Sequence, residues 1–323
     1  MRQNSKRILI TGGAGYIGLN LIIFFLRENY RITVVDNFLT SKPINNKIKK
    51  YIKFYKVDLT KERQVKNFFK KKNFDVIIHL AAYSGVEEFN KNVLKCFNNN
   101  IISTKNLINY GFLKNTTKLI FASSAAVYGK VSKEKISEEK ICYPANYYGL
   151  SKHTCENIVH NKCKEKNIQY AILRYFNVVG SLLNFKSVKN TKNLLDIISE
   201  NIRKKKYQIN VNGRRHKTSD GTPERDFIHI QDLCNIHKKT LLYISNNRKN
   251  IILNCGSGVK YSVLQIIKEF ENAIKKKFKI SFNVTNSNET ETICSDITKL
   301  KKILKIDIKK KRIYDCVEDY IQL

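Results

Sequence analysis

Residues 7–18 read RILITGGAGYIG, and this stretch decides the fold class. The apolar run 7–11 predicts a strand, and Gly12, Gly15 and Gly18 follow it with the spacing GxxGxxG. Glycines at these places let the backbone turn sharply, approach a pyrophosphate and pack a helix close to the strand. The start of that helix offers unpaired N–H groups to a phosphate. The sequence therefore opens with a predicted dinucleotide-binding loop.

Acidic residues end the second and third predicted strands. Asp36 closes the run 31–36, where a carboxylate accepts hydrogen bonds from an adenosine ribose. It also repels a 2′-phosphate, which favours NAD over NADP; the alternative is a structural glycine turn followed by a chance aspartate. Asp58 follows the run 52–57, where it could hold an adenine amino group. On its own, a helix N-cap is an equally good interpretation of Asp58.

The first half of the chain alternates short apolar runs with helical patterns such as 15–27 and 93–110. The predicted strands are 7–11, 31–36, 52–57, 75–79, 118–122 and 169–173. Continuous apolar runs suit strands that are buried on both faces of a parallel sheet. The pattern predicts an α/β fold, a Rossmann-type doubly wound parallel sheet with a smaller C-terminal α/β substrate-binding region. We divide the chain into a dinucleotide-binding domain, 1–176, and a substrate region, 177–323, and leave open that the chain crosses back.

A Tyr/Lys pair and a serine predict the reactive centre. Tyr148 and Lys152 are four residues apart, so they share one face of a helix. An ammonium beside a phenol stabilises the phenolate and lowers a pKa that starts near ~10, which makes tyrosine a usable base. Ser124 follows the fifth predicted strand, at the edge where doubly wound sheets bind ligands. Tyr147 is a competing candidate, but its i+4 partner is Ser151, so Tyr148 is the predicted base.

The charge and the cysteines of the chain limit which partners, metals and cellular compartments we predict. The 323 residues carry 60 Lys+Arg and 27 Asp+Glu, a formal charge of +33. The basic residues are spread along the chain rather than gathered in an aromatic-interleaved tract, so we predict no specific nucleic-acid partner. None of the 8 cysteines forms a CxxC pair, and we predict no metal site. The N-terminus lacks a secretory apolar core and no apolar run approaches the ~20 residues of a membrane helix, so we predict a cytoplasmic protein that binds no membrane.

The chain resembles the extended short-chain dehydrogenase/reductase family over nearly its whole length. The blocks that carry the resemblance are, in order, ITGGAGYIG, VVDN, VDLT, HLAA, NNNIIST, SSAAVYG, YYGLSK, LRYFNVVG, RDFIHIQDL and LNCGSGVKYSVLQII. The resemblance implies a tightly held NAD and redox-neutral epimerisation at C4 of a UDP-hexose (UDP-glucose or UDP-galactose) through a transient 4-keto sugar. In that reaction Tyr148 is the base, Ser124 binds the C4 oxygen and Lys152 holds the nicotinamide ribose. The resemblance further implies a homodimer formed through two helices of the first domain.

The resemblance also implies contacts for each ligand. Cofactor contacts are expected at Gly12, Gly15, Tyr16, Ile17, Gly18, Asp36, Asn37, Asp58, Leu59, Leu80, Ala81, Ala82, Asn99 and Phe176. Substrate contacts are expected at Ser124, Tyr148, Asn177, Asn193, Leu194, Ile209, Asn210, Val211, Arg225 and Glu289. Arg225 has an independent argument, because a guanidinium fork suits a diphosphate. The alternative for Arg225 is an ion pair with Asp226 or Glu224.

Several positions depart from the family pattern. Ser84 stands where the family has a lysine, Val178 where it has a proline, and Asn286 where it has an arginine on the diphosphate. Ile293 stands where a residue gates the size of the sugar's N-acyl group. Another nucleotide-sugar epimerase, acting on UDP-glucuronate or UDP-N-acetylglucosamine, is therefore kept as the alternative.

Two other function classes receive less support from the residues. The sequence Ala125-Ala126 replaces the Asp-Glu pair typical of 4,6-dehydratases, which argues against dehydration. A non-catalytic NAD sensor is expected to lack the Tyr/Lys pair that this chain retains. His79 and His229 are interpreted as hydrogen-bonded histidines at strand ends rather than as catalytic groups.

Overall fold

The computed structural model describes residues 6–84, 89, 91–112, 116–131, 134–182, 193–283, 290–308 and 312–321. The strands are β1 (Arg7–Thr11), β2 (Arg31–Asp36), β3 (Lys53–Lys56), β4 (Val76–His79), β5 (Lys118–Ser124), β6 (Gln169–Tyr175), β7 (Asn177–Val179), β8 (Gln208–Asn212), β9 (Glu224–His229), β10 (Ile251–Cys255), β11 (Lys260–Ser262), β12 (Lys279–Asn283) and β13 (Thr292–Ile293). The helices are α1 (Tyr16–Arg27), α2 (Asn46–Lys49), α3 (Glu62–Lys70), α4 (Val93–Gly111), α5 (Tyr147–Glu165), α6 (Leu194–Arg203), α7 (Ile230–Asn247), α8 (Val263–Ile274), α9 (Thr298–Leu304) and α10 (Arg312–Ile321).

A seven-stranded sheet forms the centre of the fold, in the spatial order β10-β6-β5-β4-β1-β2-β3. Strand β1 pairs in parallel with β2 and β4, and β2–β3 and β4–β5 are also parallel pairs. The apolar residues of β1 and β4 are fully buried, as expected for strands covered on both faces. The predicted α/β fold with a parallel sheet is confirmed. Parallel pairing brings the carboxyl ends of β1, β4 and β5 to one edge of the sheet.

The chain forms two compact units, and it leaves and re-enters each of them. The first comprises Met1–Gly129, Ile141–Arg174 and Cys234–Leu253; the second comprises Lys130–Lys140, Tyr175–Leu233 and Asn254–Leu323. In the second unit, β9 pairs with β7 and β13 in parallel and with β11 in an antiparallel direction, and β8 pairs with β12. The buried side chains of α6, α8 and α10 form one apolar cluster with β8. Across the described residues, no helix has both the length and the apolar character that crossing a bilayer requires.

Candidate active site

The glycine loop connects β1 to α1 with a geometry that only small residues allow. Gly12 has φ +68°, and a Cβ built there would lie 2.7 Å from the backbone N and Cα of Ala81. A Cβ at Gly18 would lie 2.6 Å from the carbonyl oxygen of Gly12. Gly15 is the N-cap of α1 and provides no side-chain cap, so no side chain at this position competes for the first N–H groups of the helix. The loop and the start of α1 therefore have the shape and the polarity of a phosphate-binding turn.

Asp36 is buried at the end of β2, where its carboxylate joins two loops. One oxygen, Oδ2, accepts from the backbone N–H of Ala14 at 3.0 Å, and Oδ1 accepts from Phe38 N at 2.8 Å and Ser41 Oγ at 3.0 Å. These bonds use three of the roughly four acceptor positions of a carboxylate. The group is thus fixed in place beside the glycine loop and retains capacity for a ribose hydroxyl.

Asp58 caps a turn before α3 and not the helix itself, and its adenine contact stays a prediction. Its Oδ1 accepts from the backbone N–H and the hydroxyl of Thr60 at 2.9 and 2.7 Å. Helix α3 starts later, with Lys61 at its N-cap, so Asp58 caps the preceding turn rather than the helix. A turn capped in this way leaves the other carboxylate oxygen, Oδ2, as a possible acceptor for an adenine amino group.

Ser124 and Tyr148 are brought together by the end of β5 and the start of α5. Asn146 caps α5 by accepting from Gly149 N at 2.8 Å, which sets the helix start one residue before Tyr148. The Ser124 hydroxyl accepts from Ala126 N at 3.2 Å, and its side chain is close enough to the Tyr148 phenol to influence the pKa of that group. Burial raises the pKa of Tyr148, and the Ser124 side chain acts in the opposite direction. The phenol is consequently protonated in this conformation.

Lys152 lies one helical turn after Tyr148 and is buried. Its Nζ donates to the carbonyl oxygen of Ala122 at 2.8 Å and lies 5.2 Å from the centre of the Phe121 ring. Burial lowers the pKa of Lys152 to about 8, so the ammonium persists at neutral pH. The expectation that Lys152 lowers the pKa of Tyr148 is not met in this arrangement, because burial dominates at the phenol and the ammonium is directed at Ala122.

Asn100 was not singled out from the sequence, although it joins two parts of the site. Its Oδ1 accepts from Tyr83 N at 2.8 Å, and its Nδ2 donates to Tyr83 O and to Ser151 Oγ, both at 3.1 Å. The Ser151 hydroxyl in turn donates to the carbonyl oxygen of Tyr148 at 2.8 Å. Asn100 thereby connects the loop after β4 to the helix that carries Tyr148. The sequence shows three consecutive asparagines, Asn98–Asn100, but it does not show that Asn100 is the buried one that makes this connection.

His79 is a satisfied histidine at the end of β4. Its Nδ1 lies 2.7 Å from Thr11 Oγ1, and its Nε2 lies 3.1 Å from Thr104 Oγ1. The Thr104 hydroxyl donates to the carbonyl oxygen of Asn100 at 2.8 Å, so His79 carries its proton on Nε2 and accepts at Nδ1. Burial, with a contribution from the charge of Lys152, lowers the pKa of His79 to about 3. The imidazole is neutral and structural.

The other predicted cofactor contacts mostly surround the same edge of the sheet. Tyr16 and Ile17 begin α1, Asn37 follows β2, Leu59 follows β3, Leu80, Ala81 and Ala82 follow β4, and Asn99 is half-buried on α4. Phe176 belongs to the second unit, between β6 and β7, and is buried.

Arg225 occupies β9 in the second unit and is half-buried. Its Nη1 donates to the carbonyl oxygen of Glu224 at 3.0 Å. The neighbouring carboxylates bind other groups: Glu224 pairs with Lys260 at 2.6 Å, and Asp226 accepts from the N–H and hydroxyl of Ser295 at 3.0 and 2.5 Å. Other groups therefore compete with Arg225 for the two carboxylates, Asp226 and Glu224, that the sequence suggested as its ion-pair partners.

The remaining predicted substrate contacts range from buried to exposed side chains. Asn193 caps α6 by accepting from Asp196 N at 2.8 Å, and Leu194 is the first helical residue. The side chains of Ile209 and Val211 are in the core, so only their backbone groups can meet a ligand, whereas Asn210 is exposed and hydrogen-bonded to Ser281. Asn177 is exposed at the start of β7. Glu289 and Asn286 lie outside the described residues.

The fold and the Ser/Tyr/Lys arrangement define a dinucleotide-dependent α/β enzyme. Residues 8–256 match the NAD dependent epimerase/dehydratase family, and the chain belongs to that family. The resemblance predicted from sequence is confirmed.

Individual relatives match over nearly the full length. A UDP-glucose 4-epimerase of Drosophila melanogaster is 32% identical over 319 residues, covering 92% of this chain and 90% of that protein. The structure of a UDP-glucose 4-epimerase from Bifidobacterium longum in complex with NAD+ and UDP is 28% identical, with a TM-score of 0.89 and coverage of 98% and 97%. A UDP-Glc/GlcNAc 4-epimerase from Campylobacter jejuni is 30% identical, with a TM-score of 0.84 and coverage of 98% of both chains.

Proposed function

We propose that this chain is an NAD-dependent epimerase that interconverts UDP-glucose and UDP-galactose by inverting C4 of the hexose. The observation that carries the proposal is the placement of Tyr148 and Lys152 one helical turn apart near the start of α5, in a chain of this family whose strand β5 ends at Ser124. Relatives of similar length that are named UDP-glucose 4-epimerase support the choice of reaction.

The residues around the glycine loop fit NAD. Gly12 and Gly18 allow a close backbone turn, and α1 begins without a side-chain cap, so its N–H groups suit a pyrophosphate. Asp36 has a free acceptor position for the adenosine ribose, and its charge opposes a 2′-phosphate. We accordingly assign NAD to the first unit, and the division of the chain between residues 176 and 177 stays a prediction.

The chain's own groups supply the proton chemistry. The glycine loop and Asp36 would hold NAD, which would supply the hydride acceptor and donor needed to invert C4. Tyr148 removes the proton from the C4 hydroxyl as the hydride leaves, and Ser124 hydrogen-bonds the same oxygen. The ammonium of Lys152 provides the positive charge that a phenolate at Tyr148 requires, since burial alone favours the neutral phenol. Tyr148 is protonated in the described conformation, so its use as a base requires the Lys152 ammonium to turn from the Ala122 carbonyl toward the phenol when the ligands bind.

In the second unit we assign the diphosphate to Arg225, whose guanidinium is positioned by a backbone carbonyl. The register of β13 on β9 sets Ile293 opposite Arg225. Ile293 is the predicted gate for the N-acyl group, and one relative is a UDP-Glc/GlcNAc 4-epimerase. That relative supports UDP-N-acetylglucosamine as a second candidate substrate, and the gate role of Ile293 stays a prediction.

The test uses the purified chain without added cofactor, incubated with UDP-galactose, and separates the products. UDP-glucose is the expected product, and a parallel incubation with UDP-N-acetylglucosamine reports on the second candidate. Tyr148→Phe should abolish turnover, and the matched control Tyr147→Phe should not, because Tyr147 is exposed on the same helix. No conversion with NAD supplied, or activity of Tyr148→Phe within a few-fold of the parent, would contradict the proposal.

We also propose a homodimer that is formed through α4 and α5. Both helices expose apolar side chains: Leu94 and Ile102 on α4, and Tyr147 and Leu150 on α5. Light scattering should give twice the chain mass, and a Leu94→Glu, Leu150→Glu double variant should give the monomer mass. A cytoplasmic location belongs to the same proposal and is supported by the eight free cysteines, which are typical of reducing compartments.

A further inference from the structure

A cluster of three metal-binding side chains lies at α5, apart from the groups assigned to the reaction. Cys142 precedes the helix, and His153 and Glu156 lie three residues apart on it. One ligand atom from each of the three lies within 4.8 Å of the other two. No CxxC spacing is involved, so the sequence pattern did not predict this cluster.

A second observation, independent of the spacing of the three side chains, concerns the imidazole of His153. Its Nδ1 atom is buried and has no hydrogen-bond partner. A buried polar atom without a partner destabilises the fold unless water or an ion pairs with it. His153 belongs to the cluster, so one of its ring nitrogens has a Cys thiol and a carboxylate as neighbours.

We propose that Cys142, His153 and Glu156 bind one Zn²⁺ ion, with water as the fourth ligand. Thiolate, imidazole and carboxylate are the donors that zinc takes in proteins, and three protein ligands with a water complete a tetrahedron. Zinc–ligand bonds of about 2.0–2.3 Å require the three donors to move closer together by roughly 1 Å. Cys142 can make that movement, because it lies outside the helix between the exposed residues Ile141 and Tyr143.

The surroundings of Glu156 suit a ligating carboxylate. Arg174 donates to both of its oxygens, Nε to Oε1 at 3.0 Å and Nη2 to Oε2 at 2.7 Å, and the Ser123 hydroxyl donates to Oε1. Such bonds orient metal-binding carboxylates in other sites and leave Oε2 with a lone pair for the ion. On binding, a sulfur–zinc bond replaces the S–H bond of Cys142, the proton passes to solvent, and no group is oxidised or reduced.

The experiment titrates Co²⁺, a spectroscopic substitute for zinc, into the purified full-length chain. We expect one Co²⁺ per chain, a thiolate-to-cobalt charge-transfer band in the near ultraviolet, and loss of that band when Zn²⁺ is added. Cys142→Ser should remove the band, and His153→Gln should weaken binding on the order of tenfold or more. His160→Gln is the matched control on the same helix, because His160 is exposed and its Nδ1 contacts the Tyr170 hydroxyl at 2.6 Å.

Two results would overturn the proposal. One is the absence of a charge-transfer band in the parent chain, which would leave water as the partner of His153. The other is a band that persists in a folded Cys142→Ser variant, which would assign the cobalt to a different thiol. Circular dichroism of each variant distinguishes loss of the site from loss of the fold. If Cys142→Ser does not fold, unchanged cobalt binding by His153→Gln would contradict the proposal.

Discussion

At the scale of single residues, Gly12 is the position with the narrowest choice of side chain. An L-residue there must adopt φ +68° and place its Cβ 2.7 Å from the Ala81 backbone. We expect Gly12→Ala to lose about 1–2 kcal/mol from the left-handed conformation alone, with further loss from displacing the loop after β4. Thermal unfolding and the NAD content of the purified protein measure the two effects.

Gly15→Ala is the matched control for Gly12→Ala. Its Cβ would meet only the Gly12 carbonyl oxygen, at 3.3 Å, and its φ is −74°. The control should therefore unfold within about 1 kcal/mol of the parent, because it has no left-handed strain. Equal destabilisation by both substitutions would contradict the conformational argument.

His79 predicts a specific pH dependence of stability. Its pKa is lowered from 6.5 to about 3 in the folded chain, so the unfolded chain binds the proton first as the pH falls. The favourable contribution of the neutral imidazole is complete above pH 6.5 and is progressively lost between pH 6.5 and about 3. We expect His79→Gln to flatten the decline of the unfolding free energy in that window, measured by urea titration at several pH values.

The exposed His160 again supplies the control. His160→Gln is the matched substitution of an imidazole on an exposed side chain. His237 contributes a background slope of the same sign, because burial also lowers its pKa to about 3. A His79→Gln slope equal to that of the parent would show that His79 does not titrate across the folding transition.

At the scale of secondary-structure elements, Asn100 links α4 to α5. Replacing it by Ala leaves the backbone groups of Tyr83 and the Ser151 hydroxyl without their partner. We expect a loss of about 1–3 kcal/mol in stability and a larger effect on turnover than on substrate KM, since the backbone that carries Tyr148 is released. Steady-state kinetics with UDP-galactose and thermal unfolding test both parts. The exposed neighbour Asn98→Ala is the control, and equal kinetics for the two variants would contradict the link.

The elements that could be predicted from sequence are those that local pattern determines. The runs 7–11 and 31–36 match β1 and β2, because strands buried on both faces are continuously apolar. Helix α8 also has bounds that local sequence determines, because it begins at the Ser262–Gln265 capping box and ends at Lys275 in the left-handed conformation. Strands β7, β11 and β13 have only two or three residues, and their existence depends on pairing with β9, which local sequence does not report.

The active site, too, could be predicted only in part from the sequence. The Tyr148/Lys152 spacing and the glycine spacing follow from helix and turn geometry, so the sequence was sufficient to propose them. The direction of the Lys152 ammonium toward Ala122 and the role of Asn100 depend on which side chains are buried together. Burial also reverses the expected direction of the Tyr148 pKa, and no spacing rule could have supplied it.

At the scale of the whole molecule, the formal charge is +33, and the proposed reaction does not explain this excess of basic residues. The cations lie on many elements, and several are already paired on the surface, as in Lys204–Glu200 and Lys238–Glu28. A field of this kind attracts any polyanion through counterion release and carries no sequence information. We expect the chain to bind both heparin and a random-sequence oligonucleotide, and the affinity for each to decrease steeply as KCl rises.

The measurement is fluorescence anisotropy of labelled heparin and labelled oligonucleotides across a range of KCl concentrations. Steep linear plots of log affinity against log salt for heparin, single-stranded DNA and structured RNA would match a dispersed surface charge, because each slope reflects the counterions displaced from that polyanion. UDP-galactose should not change the slopes, since one bound diphosphate alters the total charge little. A preference of more than about tenfold for one nucleic acid at fixed salt would instead require directed contacts to bases or to a particular backbone shape, and would contradict the prediction of no specific nucleic-acid partner.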